Sequence, residues 1–365
     1  MATAIVVGGG IGGLAAALAL HGRGWSVEVL EQAREITAVG AGISLWSNAL
    51  RALDALGVGA AVRGQSIDGT SAGIRDARGR WLSRTDIAAL RDRFGTPVIL
   101  HRADLLDILR TALPEGVLRT GISVREARTD GTVVHSAGTS TADLIVGADG
   151  LRSVVRRAVC GEVVPRYAGY TAWRAVVDLA DPPTDFGETW GRGARFGIAP
   201  LKDGRLYWFA VDNAAEHTPA GLDRVRARFG DWLDPIPALL AAADPDTVLH
   251  NDIYDLPALP TFVAGRIALL GDAAHAMTPN LGQGGCQALE DAVVLARHAA
   301  APDGLTRYDQ ERRPRTQMIA RRSAQLGVLG QLSAAPLVAL RDTALRLTPA
   351  SAQLRSMAPI LDWTC

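Results

Sequence analysis

The chain has 365 residues, which is longer than one ordinary domain and long enough to bury the cores of two. Hydrophobic residues make up 48% and charged residues 21%, a balance that is typical of a soluble globular protein and excludes a disordered one. The 38 basic residues equal the 38 acidic ones, so no net charge favours nucleic acid or an anionic membrane as a partner.

Three cysteines, Cys160, Cys286 and Cys365, lie far apart, and this spacing predicts neither a metal site nor a redox pair. A sparse, odd set of thiols is typical of reduced proteins, so we expect a cytoplasmic location. The apolar N-terminus does not resemble a signal peptide, because no Lys or Arg precedes it and glycines interrupt it. No stretch reaches the roughly 18–20 apolar residues that span a bilayer, which argues against a membrane partner.

Strands and helices alternate in the first 150 residues, and the chain begins with a strand–turn–helix–strand pattern. The strands of this part are predicted at residues 4–7 and 27–30, with shorter strands and turns at 65–84 and 117–146. Its helices are predicted at residues 14–21, 49–56 and 102–113. Leu105, Leu106, Leu109 and Leu113 share one face of the last helix, as in a helix that packs on a core.

The composition changes near residue 166, after which Trp, Tyr and Phe become frequent. The elements predicted from here on are strands at 171–178, 195–199, 206–211 and 266–270, helices at 222–233 and 283–299, and a mostly helical segment at 306–362. We therefore predict an α/β fold with a Rossmann-like nucleotide-binding domain made of residues 1–165 and 263–300. A mainly antiparallel β-sheet domain is inserted at 166–262, and residues 301–365 form a helical tail.

The glycine motif GGGIGG at residues 8–13 follows the first strand and opens the first helix, the context that a dinucleotide-binding fingerprint requires. Gly8 allows a tight turn, Gly10 lets backbone approach a pyrophosphate, and Gly13 permits close helix–sheet packing. The free N–H groups of the helix N-terminus favour phosphate. Glu31 ends the second strand, where a carboxylate can accept the ribose hydroxyls. This motif alone fits NAD dehydrogenases about as well as FAD proteins.

A second motif, ALLGDAAHAMTPNLGQGGCQALEDA at residues 268–292, predicts a buried strand, a glycine loop and a helix. Asp272 ends the strand, where a carboxylate can hold a polyol such as the ribityl chain of a flavin. Gly284 and Gly285 lack side chains, so a flat ring can lie against the backbone, and the helix N-terminus would stabilise a negatively charged reduced flavin. The alternative is a packing unit that Asp272 caps. His275 in the same loop is either structural or a proton relay.

The third motif, GADGLRSVVR at residues 147–156, places the turn Asp149-Gly150 after a strand and adds Arg152 and Arg156 near it. Together and in this order, the three motifs resemble those of the class A flavoprotein monooxygenases, the para-hydroxybenzoate hydroxylase-like group. The resemblance covers roughly residues 4–315 and makes the first domain an FAD-binding domain and the inserted sheet a substrate domain. It implies that FAD contacts Gly8, Gly10, Gly12, Gly13, Glu31, Gln32, Ser44, Arg102, Val124, Asp149, Asp272, Gly282, Gln283, Gly284 and Gly285.

Within that family, the patterns that are most similar belong to urate hydroxylase and zeaxanthin epoxidase-like members. The segment RFGIAPLKDGRLYWFA at residues 195–210 resembles substrate-sheet strands, and the resemblance makes Arg195 and Tyr207 the catalytic candidates. Urate hydroxylase has an Asp that partners this Arg, whereas this chain has Asn280, which argues against urate as the substrate.

Aromatic side chains of the inserted sheet are candidates for a water-free pocket, in which we place Trp46 and Phe209 beside Asn280. The remaining aromatic candidates are Tyr170, Trp173, Trp190, Phe196 and Trp208. Because side chains alternate along a strand, Phe209 shares the face of Tyr207 and Trp208 points away.

The implied activity is monooxygenation: NADH or NADPH reduces the FAD, O2 forms a flavin hydroperoxide, and one oxygen atom hydroxylates or epoxidises a small aromatic or heteroaromatic substrate. We expect a monomer or homodimer without metal or nucleic acid. One alternative is a flavoprotein reductase or a ligand-binding flavoprotein that does not oxygenate. A flavin-dependent halogenase is less consistent with the sequence, which lacks the W-x-W-x-I-P signature, and a non-enzymatic nucleotide-binding module would have no use for Asp272.

Overall fold

The computed structural model describes residues 1–35, 41–65, 71–179, 182–183, 185–219 and 221–365. Residues 66–70 of the strand-and-turn segment predicted at 65–84 lie outside this part of the chain. The first strands are β1 (Thr3–Val7), β2 (Ser26–Glu31), β3 (Gly42–Leu45), β4 (Ala72–Asp76), β5 (Trp81–Arg84), β6 (Val98–His101), β7 (Leu118–Thr120), β8 (Val124–Ala127), β9 (Thr132–His135), β10 (Gly138–Thr141) and β11 (Leu144–Gly147). The later strands are β12 (Arg166–Val177), β13 (Phe186–Trp190), β14 (Ala194–Pro200), β15 (Leu206–Asn213), β16 (Leu249–Asp255), β17 (Val263–Ala264) and β18 (Ile267–Leu269).

The helices follow the predicted order, and a 3₁₀ turn at Pro279–Leu281 precedes the second glycine loop. They are α1 (Ile11–His21), α2 (Ser47–Ala55), α3 (Gly59–Arg63), α4 (Ile87–Phe94), α5 (Arg102–Thr111), α6 (Val155–Cys160), α7 (Leu222–Phe229), α8 (Ile236–Ala242), α9 (Asp272–His275), α10 (Gly284–His298), α11 (Gly304–Gly330), α12 (Ala335–Leu347) and α13 (Ala350–Leu361). The helix predicted at 222–233 forms as α7 but its predicted end is wrong, because α7 ends at Phe229 and α8 begins after Pro235.

A mainly parallel sheet with the strand order β17-β18-β11-β1-β2-β7 forms the nucleotide-binding part. Strands β18, β11, β1, β2 and β7 run parallel, and β17 adds an antiparallel edge. Every residue of β11 is buried, as expected for a strand covered on both faces. The carboxyl ends of β1, β2, β11 and β18 meet at one edge, which brings all three sequence motifs together. The Rossmann-like α/β fold is confirmed.

A second sheet, ordered β16-β12-β15-β14-β13-β4-β5, is antiparallel except for the β13–β4 pair. Helices α7 and α8 cover one of its faces with a buried apolar cluster that includes Phe229 and Leu239. Strands β4 and β5 come from the N-terminal part of the chain, so the sheet extends beyond the inserted segment 166–262. The division into domains at these residues remains a prediction.

The C-terminal segment is helical, as predicted, and α11 runs for 27 residues along both parts of the molecule. Within the described residues, no single helix is long and apolar enough to span a bilayer, and only the bent pair of α11 and α12 passes that test by length and composition.

Candidate cofactor and substrate site

The glycines between β1 and α1 divide into those that the fold requires and one that leaves room. A Cβ on Gly13 would lie 1.9 Å from the carbonyl oxygen of Gly8, and a Cβ on Gly8 would lie 2.4 Å from that of Ala148. A Cβ on Gly10 would meet nothing within 4 Å. Gly10 starts α1 without a side-chain cap, so the helix N-terminus is open to an anion. The residues therefore fit a pyrophosphate in front of Gly10.

Glu31 ends β2 beside this cradle. Its carboxylate accepts hydrogen bonds from the backbone N–H of Gly9, at 2.6 Å, and of Ala33, at 2.7 Å. Gln32 is exposed next to Glu31. The segment just before Val124 donates a backbone hydrogen bond to the carbonyl of Glu31, which places Val124 near the same strand end. These positions suit the adenosine end of FAD. Gly12 serves packing as well, because a Cβ there would lie 2.7 Å from a methyl of Leu270.

The turn after β18 presents Asp272 at the edge of the sheet. Gly271 has a positive φ of 56°, which favours glycine, and Asp272 follows as the exposed first residue of α9. No hydrogen-bond or ion-pair partner holds the Asp272 carboxylate within the described residues, so it is available to a polyol. The backbone of this turn is fixed from outside by Arg156, which donates to the carbonyl of Ala273 at 3.1 Å.

Two walls face each other near this turn. Trp46 and Ser44 form one wall, and the loop that leads into α10 forms the other, since a Cβ on Gly282 would lie 3.3 Å from Nε1 of Trp46. The Trp46 Nε1–H is buried and finds no acceptor in the described part of the chain. Helix α10 begins at Gly284 without a side-chain cap. An unpaired donor and an open helix N-terminus fit the polar edge of a flat ring such as the flavin.

Buried charges hold the second wall in place. Arg312 of α11 donates to Asp291 at 2.7 Å and also pairs with Glu290, and all three side chains are 0% exposed. Asp291 also accepts from Gly271 N–H at 2.9 Å and from His275 Nε2 at 2.6 Å. Burial alone would raise the pKa of Asp291, but His275 and Arg312 outweigh it and hold this pKa at about 2. This buried contact with Asp291 favours the structural role for His275, which stays a prediction.

The same network reaches the first wall through Asn48. Its amide donates to Glu290 at 2.6 Å and to Gln283 at 3.0 Å, and Gln283 immediately precedes α10. Asn48, Glu290 and Arg312 were not predicted as functional residues, because their partners are distant in the chain. The adjacent pair Glu290-Asp291 in α10 could have predicted this network, because two neighbouring acids on a buried helix need cations nearby.

Asp149 and Arg102, two further predicted FAD contacts, lie outside these two walls. Asp149 caps α6, because its carboxylate accepts from Ser153 Oγ at 2.6 Å and from Val154 N–H at 2.7 Å. Arg102 begins α5 with an exposed side chain, while its backbone N–H donates to the carbonyl of Ala41. Both remain predictions as cofactor contacts, and Arg102 is the more accessible one.

Arg195 lies inside a polar cluster between the second sheet and α11, and it is 2% exposed. Its guanidinium donates to Asn280 Oδ1 at 2.5 Å, to Gln331 Oε1 at 3.1 Å and to Glu188 Oε2 at 3.3 Å. Asn280 in turn donates to the hydroxyl of Tyr170 at 3.0 Å. The structure thus joins the predicted Arg195, Asn280 and Tyr170, and adds Glu188 and Gln331.

The aromatic side chains alternate across the sheet as predicted. Tyr207 and Phe209 share the face that carries Arg195, with their ring centres 6.1 Å apart. Gly42 lies against the Tyr207 ring and Gly197 lies under Phe209, and in each case a Cβ would overlap the ring. Burial raises the pKa of Tyr207 above its ordinary value. The aromatic candidates on the opposite face pack in the cluster beneath α7 and α8, and they are Trp173, Phe196 and Trp208.

Comparison with known proteins agrees with this geometry. Residues 1–323 match a family model described as FAD binding domain. Aurachin C monooxygenase/isomerase of Stigmatella aurantiaca is 40% identical over 361 residues, which covers 94% of each chain. The 2-heptyl-3-hydroxy-4(1H)-quinolone synthase of Pseudomonas aeruginosa is 36% identical, with 97% of this chain and 96% of that one covered. The crystal structure of Klebsiella pneumoniae HpxO with FAD and uric acid has a TM-score of 0.90 at 31% identity and covers 99% of this chain and 96% of that one.

Proposed function

Because the chain belongs to the FAD-dependent monooxygenases, we propose that it hydroxylates an uncharged, electron-rich heteroaromatic ring that carries an oxo or hydroxyl group. FAD is the cofactor and NAD(P)H the electron donor. When bound and reduced by NAD(P)H, FAD would activate O2, one atom of which is transferred to the ring while the other leaves as water.

The residues of this chain bind and orient. Gly10 and the N-terminus of α1 would hold the pyrophosphate, Glu31 the ribose and Asp272 the ribityl chain. The N-terminus of α10 would stabilise the negative charge of the reduced ring. Tyr207 and Phe209 would keep water from the space above that ring, which is needed because water diverts the activated oxygen to hydrogen peroxide.

The state of Arg195 carries the proposal that the substrate is uncharged. A guanidinium that binds an anionic substrate must present free N–H groups, and Arg195 is buried with Glu188 as its counter-charge. Asn280 provides no second carboxylate, and its amide is already bonded to Tyr170, Thr278 and Ser323. In this arrangement Arg195 positions Asn280. The quinolone synthase among the relatives is named for a ring of the proposed class.

Competing substrates provide the test. FAD-loaded protein is mixed with NADH or NADPH and with 4-hydroxyquinoline, salicylate or urate, and oxygen uptake is followed. We expect the uncharged quinoline to stimulate uptake by at least about tenfold over the rate without substrate, and the two anions to stimulate it less. Stronger stimulation by salicylate or urate would overturn the proposed substrate class.

A further inference from the structure

A cavity of about 850 Å³ lies beside the Arg195–Asn280 cluster. Tyr170 and Thr278 line it, and both side chains bond to the amide of Asn280, at 3.0 Å and 2.9 Å. The cavity thus lies next to the candidate substrate site, on the side of Asn280 that Tyr170 and Thr278 contact. Ligand sites typically measure about 300–1,000 Å³, and this volume lies within that range.

One wall of the cavity is apolar although it faces solvent. Helices α11 and α12 contribute Ala324, Val328 and Leu337, and the segment between them contributes Leu332. Val328 is 69% exposed and Leu337 is 49% exposed, although large apolar side chains are usually buried. On the opposite side Gly169 has no neighbour within 4 Å of a Cβ position, so the space remains open there.

The charges at the cavity are already paired. Arg166 is the cation among the lining residues, and it donates twice to Asp255, at 3.0 Å and 3.2 Å. A phosphate or carboxylate ligand would have to break this pair, whereas a hydrocarbon would not. Burial of apolar surface is the interaction that this cavity offers.

We propose that the cavity is a subsite for an aliphatic chain attached to the substrate ring. The ring would lie at the flavin walls, and its chain would pass Tyr170 and cover Val328 and Leu337. This inference rests on the proposed function, since it assumes that a ring binds beside Asn280. Full burial of one methylene group contributes about fourfold in affinity, so a chain of several carbons should bind measurably more tightly than a methyl group.

The test compares 2-methyl-4-quinolone with 2-heptyl-4-quinolone by titration of the FAD-loaded protein, with the change in flavin absorbance as the readout. We expect the heptyl compound to bind at least about tenfold more tightly. Leu337→Asp should remove most of that gain and leave the methyl compound unaffected. Leu340→Asp is the matched control, because Leu340 is 67% exposed on the same helix and does not line the cavity.

Equal affinity for the two compounds, or the same loss in both variants, would overturn the subsite. Oxygen uptake distinguishes this result from failure of the proposed function. If the methyl compound stimulates uptake and the heptyl chain adds no affinity, only the subsite is wrong. If neither quinolone binds or stimulates uptake, both proposals are wrong.

Discussion

Replacing Gly10 with valine should leave the apoprotein folded and weaken FAD binding by at least about 100-fold, or about 2.7 kcal/mol. The fold tolerates the change because Gly10 has φ −75° and ψ −177°, which any residue adopts, and a Cβ there meets nothing within 4 Å. The branched side chain would occupy the space in which the pyrophosphate must approach the backbone. Fluorescence titration with FAD measures the affinity, and urea unfolding of the apoprotein measures the fold.

Gly221→Val is the control for this substitution. Gly221 has φ −72° and ψ 169°, precedes α7 as Gly10 precedes α1, and also has open space around its Cβ position. This variant should keep both its stability and its FAD affinity. Gly13→Val, by contrast, should impair folding, because its Cβ would overlap Gly8. Normal FAD affinity in Gly10→Val would show that the cofactor is not held at this turn.

Replacing Arg312 with methionine should lower the free energy of unfolding by about 3 kcal/mol, because it removes the buried cation that Glu290 and Asp291 share. The loss should not be larger, because Arg315 still pairs with Glu290 and His275 with Asp291. Urea unfolding of the FAD-saturated protein measures the effect. Arg307→Met removes an exposed pair with Asp303 in the same helix and should change the unfolding free energy by about 0.5 kcal/mol or less. Similar losses in the two variants would contradict the stabilising role assigned to the buried network.

The order of elements around the parallel sheet was predictable because each motif combines a strand, a glycine turn and a helix. Strands β13 and β16 were not predicted as individual strands. Their sequences, FGETW and LHNDIYD, mix glycine and charged residues with apolar ones, so neither shows clear alternation. Tertiary pairing with β14 and β12 decides their conformation.

Positions of the candidate site residues were predictable one by one, but their partners were not. Arg195 bonds to Gln331, which is 136 residues away, and only the path of α11 brings the two together. Two glycines of α11 are needed for this close approach. A Cβ on Gly330 would lie 2.8 Å from Arg195 Cδ, and a Cβ on Gly327 would lie 2.5 Å from Asn280 Nδ2. A single sequence shows these glycines merely as poor helix formers.

Isotope labelling distinguishes oxygen transfer at the FAD site from a reaction that only releases hydrogen peroxide. FAD-loaded protein is supplied with NADH or NADPH, 2-heptyl-4-quinolone and ¹⁸O₂, and the product is analysed by mass spectrometry. We expect a hydroxylated ring that carries one labelled oxygen atom, and no such product from Gly10→Val. Consumption of NAD(P)H that yields only hydrogen peroxide, with this compound and with 4-hydroxyquinoline, would contradict oxygen transfer.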